Sequence, residues 1–160
     1  IVSTHEGHDG KQVTSQVLNI RRFDMPTEDV IEHLQLEPGT PVVYIKRLFL
    51  FDDKPLAVGR SWLSLARFPG LDETGLGEKG LTATLRSRYN TIIRRFNDAI
   101  EAVRPAPDER NLLDVSYDCP LLMVRGLSFD QHNVPVEYST TYWLGDKVRF
   151  TVSMNTQEVE

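Results

Sequence analysis

Six stretches of this chain alternate apolar with polar residues, or run apolar with β-branched and aromatic side chains, as sheet strands do. They cover about residues 14–23, 42–51, 55–64, 92–103, 121–130 and 135–144. A seventh, short strand is expected over Lys147-Val-Arg-Phe150, joined to its predecessor at Gly145-Asp146. Other stretches carry helical spacing. Thr27 stands where an N-cap would, Glu28 and Asp29 follow it, and the helix runs to about Leu34. Leu81, Leu85 and Tyr89 fall four apart, on one side of a helix over 81–89. Pro105-Ala-Pro107-Asp108 opens another, to about Leu113. Residues 66–80 read as loop with one helical turn, and Asp52-Asp53-Lys54 and Gln131-His132-Asn133-Val134 as hairpin turns.

The order of these elements repeats. At an offset of 79, Pro26 meets Pro105, Asp29 meets Asp108, Leu34 meets Leu113, Leu36 meets Val115 and Pro41 meets Pro120. After one extra residue in the second turn, Pro55 meets Pro135 and Trp62 meets Tyr142. Each half reads strand, short helix, strand, hairpin turn, strand. Hairpin-joined strands predict one antiparallel sheet with helices packed on a face, an α+β fold rather than a doubly wound parallel one.

Composition narrows the class. The 160 residues suffice for one domain with its own core, and 40% hydrophobic with 26% charged residues is ordinary for a soluble globular protein. The net charge of −5 argues against this segment gripping nucleic acid itself. Cys119 is the single cysteine, which excludes an intrachain disulfide and a thiolate cluster and fits a reducing cytoplasm. No apolar run approaches the ~18 residues of a membrane span, so no membrane partner is expected. The chain opens without methionine and reads as part of a longer protein: an arm over 1–12, a domain over 13–155 and a tail over 156–160.

Several residues carry candidate chemistry. Arg47 is interior to an apolar strand and, by period 2, shares a face with Val43, Ile45, Phe49 and Phe51. A buried arginine needs a partner, either Glu137 or a ligand anion. Glu137 shares its face with Ser139, Thr141 and Trp143: an acid, two hydroxyls and an indole, which suits a small-molecule lining. The same spacing is met equally by a solvent-facing strand side with Tyr138 and Tyr142 turned to the core. Arg86, Arg88, Arg94 and Arg95 form a basic cluster, and Arg95, out of phase with Ile92, Phe96 and Ile100, needs an anion if its face is covered. Gly75-Leu-Gly77-Glu-Lys-Gly80 matches a dinucleotide fingerprint only in letters, since loop rather than strand precedes it. Gly80 does open a helix whose free amides suit an anion. His5, His8, His33 and His132 are scattered, so no metal site and no cofactor is expected. No nucleophile elbow, Walker loop or Ser/His/Asp order is present, and no catalytic residue is assigned.

Taken together, Leu36-Glu-Pro-Gly-Thr-Pro41, Ile45-Lys-Arg-Leu48, Pro55-Leu-Ala, Arg60-Ser-Trp-Leu63 and Phe68-Pro-Gly-Leu71 resemble the first half of a UTRA domain. Val134-Pro-Val-Glu-Tyr-Ser139, Tyr142 and Gly145-Asp-Lys-Val-Arg-Phe150 resemble its closing signature. The resemblance covers roughly residues 14–154. It implies a chorismate-lyase-like fold without lyase activity, and the effector-binding half of a GntR-type regulator of the HutC branch. It also implies a homodimer, a winged helix-turn-helix outside this segment that contacts DNA, and a small effector such as a sugar, a sugar phosphate or another metabolite. An enzyme of chorismate-lyase type on the same fold is the alternative. By motif, a ligand arginine falls on Arg47, a glutamate on Glu137 and an aromatic on Trp143 or Tyr142. The candidate ligand-binding set is then Arg47, Phe49, Ser61, Arg95, Glu137, Ser139, Tyr142 and Trp143. Phe49 stands where many relatives carry a second arginine, Gly59 where they carry a glutamate, and about Gly80 where they carry a serine. Those departures argue against an amino-sugar phosphate and for a less charged metabolite. Ser3, Thr4 and His5 fall where the resemblance places a linker that closes over the ligand.

Overall fold

The computed structural model describes residues 13–156. Ser3, Thr4, His5 and His8, with the rest of the expected arm over 1–12, lie outside the described residues, as does all but the first residue of the expected tail. The strands are β1 (Val13–Phe23), β2 (Val42–Phe51), β3 (Lys54–Ser64), β4 (Ile93–Val103), β5 (Leu121–Asp130) and β6 (Pro135–Leu144). The helices are α1 (Glu28–Leu34), α2 (Leu71–Thr74), α3 (Leu81–Tyr89) and α4 (Pro107–Leu113). All six strands form one sheet in the order β1-β2-β3-β6-β5-β4, antiparallel at every pairing. The expected α+β antiparallel fold is the one observed.

Local chemistry explains the elements. Thr27 caps α1 by accepting from the Val30 N–H at 3.5 Å, and Gln35 ends the helix in the left-handed conformation. Asp52 and Asp53 both have positive φ, as a two-residue turn matching the strand twist requires. The Gly75–Gly80 stretch is loop, tied by the Gly77 N–H donating to Thr84 Oγ1 and by Arg88 donating to the Gly75 carbonyl. Arg88 thus serves the loop, while Arg86 and Arg94 are exposed.

The halves β1-α1-β2-β3 and β4-α4-β5-β6 are related by a pseudo-two-fold through the β3–β6 ladder. The repeat extends to hydrogen bonds. Leu36 N–H donates to the Ile31 carbonyl and Val115 N–H to that of Arg110, while Thr40 bonds to Glu37 as Cys119 does to Ser116. Leu65 and Gly145, each following the last strand of its half, donate to the carbonyls of Pro41 and Pro120. At the seam Ser61 faces Ser139, Gly59 faces Thr141, and Arg60 faces Thr140 between them. Helices α1 and α4 each cross the seam: α1 lies on β6 and α4 on β3. The two dockings differ in chemistry. For α1, Val30 and Leu34 bury against Val42 and Tyr138, His33 stacks on the Tyr138 ring at 4.2 Å, and the Tyr138 hydroxyl donates to Asp29. For α4, Lys46 and Arg60 donate to Asp108, and Arg60 pairs with the buried Glu109 at 2.7 Å. Each fully buried aliphatic side chain in these contacts contributes about 1.5–3 kcal/mol.

Among the described residues, the opposite sheet face is covered only at its two ends. At one end Val43, Ile45, Leu63 and Val136 pack under Phe68, Leu71, Leu81 and Leu85 from α2, α3 and the segment before them. At the other, Leu56, Ala57 and Trp143 pack with Phe49, Phe51, Val148 and Phe150. The last two correct an expectation, because residues 148–150 form no strand. Both edges of β6 are already paired, with β3 and β5, so a hairpin partner has no free edge. The turn after Leu144 instead lays Val148 and Phe150 across the face, with Phe150 edge-on to Trp143 at 6.0 Å. The β4 reading is also corrected. Ile92 precedes the strand, a bulge lies between Ile93 and Arg95, and Phe96 and Ile100 are exposed.

Arg67 fastens the covering segment to the β5–β6 hairpin by pairing with the buried Asp130 and donating to the Pro135 carbonyl. Burial opposes ionisation of Asp130. The backbone N–H of Val134, the Arg67 guanidinium and the N–H of His132 outweigh it and hold the carboxyl below its ordinary range. Asp130→Ala should therefore cost about 3 kcal/mol at pH 7, read from urea unfolding. Because the folded pKa is lowered, this stabilisation is complete above the ordinary carboxylate value near ~4 and is lost as pH falls through the folded one. The gap between wild type and variant should accordingly narrow below about pH 4.

Candidate functional site

Between the two apolar ends of that open face lies a polar band. Alternation puts Arg47 of β2, Gly59 and Ser61 of β3, and Glu137, Ser139 and Thr141 of β6 on it side by side. Arg47 lies beside the seam with 12% of its side chain exposed. Its Nη2 donates to Ser61 Oγ at 3.2 Å and reaches Glu137 Oε2 at 3.4 Å, while Nε is buried and has no partner. Burial pushes the guanidinium below its ordinary value and Glu137 pulls it back up; arginine stays cationic in either case. A buried cation with one long ion pair and an unused donor is incompletely satisfied, and an acceptor placed against it would gain a charge-assisted bond.

Aromatic rings floor one side. The Arg47 guanidinium lies over the Phe49 ring, 5.0 Å from its centroid, and Phe49 stacks on Trp143 at 5.8 Å. Phe49 and Gly59 are a matched pair: a Cβ on Gly59 would fall 2.8 Å from Phe49 Cε2 and 3.3 Å from Thr141 Oγ1. The ring fills the space that a side chain at 59 would need. Where the resemblance implies an arginine and a glutamate, this chain packs an aromatic plate over a bare backbone. Gly80, which opens α3, stands by the same region, since a Cβ there would lie 3.8 Å from Ser15 Oγ and Ser15 pairs with Phe49 across β1 and β2. The N-terminal amides of α3 thus approach the aromatic end of the band.

Of the eight residues expected to form the site, six share this face: Arg47, Phe49, Ser61, Glu137, Ser139 and Trp143. Two do not. Tyr142 is one residue out of phase and lies on the helix-bearing face, packed with Val58 and Leu113 and beneath Arg60. Arg95 also points to that face, where its guanidinium covers the Phe129 ring at 3.7 Å and donates to Asn133 Oδ1. It is exposed and satisfied by a neutral amide, so the condition that demanded an anion is not met. Two residues the sequence reading passed over join the band. Ser128 stands opposite Glu137, and Asp98 stands opposite Gly126 in the next ladder. Asp98 shares its phase with Phe96 and Ile100, and an acid in phase with apolar residues was the available signal.

Two surface clefts lie away from this band. One of about 530 Å³ is lined by Arg110, Asn111 and Tyr117 on α4 and the turn after it. The other, about 390 Å³, runs between Arg21, Tyr44, Lys46 and Leu112 on the helix-bearing face. Neither contains Arg47 or Glu137. Among the described residues, no group of three His, Cys, Asp or Glu side chains is placed to hold a metal. No helix among the described residues is long and apolar enough to cross a membrane.

The UTRA domain family matches residues 8–149. The repressor PhnF of Mycolicibacterium smegmatis is 29% identical over 135 residues, covering 84% of this chain and 55% of that protein. The transcriptional regulator GmuR of Bacillus subtilis is 26% identical over 140 residues, covering 86% of this chain and 57% of its own. The crystal structure of the effector domain of PhnF superposes with a TM-score of 0.83 at 26% identity, covering 92% of this chain and 90% of that domain. The chain spans about half the length of the curated relatives it matches.

The fit of Phe49 over Gly59 makes a prediction. Gly59→Ala should destabilise the domain by about 1–2 kcal/mol through overpacking. In a Phe49→Ala background most of that cost should vanish, which a double-mutant cycle in urea would measure. Additive costs would show that the two positions do not share the space.

Proposed function

Because this chain belongs to the UTRA domain family and is homologous to the effector-binding domains of GntR-family transcriptional regulators, we propose that the polar band is where its effector binds. In this reading Arg47 receives an anionic or acceptor group and Ser61 and Ser139 hydrogen-bond the ligand body. Phe49 and Trp143 pack against its flat or apolar side, and Glu137 accepts from its donors. The observation that carries the proposal is the buried Arg47 with an unused Nε, set among hydroxyls and aromatic rings on a face that the described residues cover only at its ends. One strand arginine rather than two suits a metabolite with a single negative group.

The regulator as a whole would be a homodimer of the HutC branch working in the cytoplasm. A winged helix-turn-helix outside this segment would contact DNA, which fits the −5 charge of a segment that does not. Effector and operator affinities would then be coupled reciprocally. The domain would span 13–155, with the arm over 1–12 as linker. PhnF and GmuR are named as transcriptional regulators, which favours this role over an enzyme of chorismate-lyase type.

A thermal-shift screen of sugars, sugar phosphates, amino acids and phosphonates tests the site. A true effector at 100 times its dissociation constant stabilises the domain by about 2.7 kcal/mol. Arg47→Ala and Glu137→Gln should each abolish that shift while their unliganded unfolding stays cooperative. Binding by both variants at wild-type strength would place the effector elsewhere.

A further inference from the structure

The open face carries a second charged pole. Asp98 on β4 is separated from β6 by a single strand, and the residue of that strand beside it is Gly126. A Cβ on Gly126 would overlap Asp98 Oδ1 and also the backbone of Asn97 and Asp98, so β4 presses closely on β5 here and the carboxylate lies against the bare backbone of β5, whose Gly126 is flanked on its other side by Ser139. Burial, reinforced by the Glu137 carboxylate, pushes the Asp98 carboxyl above its ordinary value. Among the described residues, the one ion pair made by either acid is that of Glu137 with Arg47, on the far side of Glu137. Ser128 adds an independent sign. It is 4% exposed, stands directly opposite Glu137 on the same face, and its Oγ has no hydrogen-bond partner. A buried hydroxyl left unmatched opposite Glu137 and one ladder step from Asp98 marks a place built for a donor.

Resting on the reading of this face as the effector site, we propose that the ligand carries a cationic amine. Its ammonium lies between Asp98 and Glu137, within reach of Ser128, and its single anionic or acceptor group sits on Arg47. Two carboxylates and one guanidinium leave the empty site with one net negative charge, which favours a cationic group there; a ligand with one ammonium and one anion sets each of its charges against an opposite one. Ammonium has three donors, and Asp98, Glu137 and Ser128 offer an acceptor for each. Asp98 is on an edge strand at the exposed margin of the band, so this pole forms the entrance and Arg47 the deep end.

The test is calorimetric titration of the chain with matched pairs that differ only at nitrogen. Two such pairs are phosphoethanolamine with N-acetyl-phosphoethanolamine, and glucosamine 6-phosphate with N-acetylglucosamine 6-phosphate. In at least one pair the free amine should bind tenfold or more tightly than its acetylated partner. Asp98→Asn should erase that preference without weakening the acetylated compound. Equal or tighter binding of the acetylated compounds, or a preference that survives Asp98→Asn, overturns the proposal while leaving the effector site standing. No binding by any compound here or in the wider screen overturns both. A ligand-free readout stands beside these. Asp98→Asn removes a carboxylate whose charge is disfavoured by burial and by Glu137, so it should raise the melting temperature of the unliganded domain. A lowered melting temperature would assign Asp98 to the fold and overturn the proposal.

Discussion

The pairing of β3 with β6 is the constraint on which the molecule depends. It joins two three-stranded halves into one sheet, and it sets Ser61 against Ser139 and Gly59 against Thr141 in the middle of the open face. Register along this seam decides the site, because a slip of one residue would turn every one of those side chains to the other face. The helices reinforce it from behind. By reaching over to the other half's last strand, α1 and α4 make separation of the halves cost both apolar burial and the Arg60–Glu109 pair. Arg60 sits at the seam on the helix side, back to back with the polar band, so one short stretch of β3 serves packing with one face and recognition with the other.

The band itself works by incomplete satisfaction. Sheets ordinarily pair or hydrate their polar groups; this one buries a guanidinium with an idle Nε and a serine with an idle hydroxyl, between two apolar ends. Each idle group costs stability in the empty domain and returns it when a matching ligand arrives, which is how a binding site gains selectivity from polar groups. Phe49 over Gly59 narrows the choice further, since the ring removes both the space and the charge that a second ion pair would need.

Much of this was legible in the residues. Strands over 42–51 and 121–130 and the helix over 81–89 match the observed bounds, because β-branched runs and four-residue spacing speak directly about backbone state. The 79-residue offset was legible from a few prolines and leucines, and it recurs in capping bonds that no periodicity shows. What failed depended on neighbours. Lys147–Phe150 has the composition of a strand but no free edge to join. Arg95 follows a bulge that composition does not reveal, and its face at that point lies open to solvent, with an aromatic ring and a turn asparagine as its partners. Tyr142 and Trp143 are adjacent aromatics, and only the register says which of them turns to the band. Asp98 escaped notice because its role depends on a glycine twenty-eight residues away.

The helix crossing over the seam has an evolutionary consequence. A chain of one half alone could bury its seam and seat its helix only on a second copy, and exact symmetry would then repeat every seam-side residue about the axis. Ancestral pockets of that kind come in equivalent pairs, and a ligand can lie in either of two reversed orientations. Covalent continuity lifts the restriction. The position that holds Arg47 in the first half holds Gly126 in the second, and that of Glu137 corresponds to Ala57. One half carries a cation at this position and the other a glycine, against which Asp98 lies. A molecule bound across the axis therefore meets unlike ends and has a single way to lie.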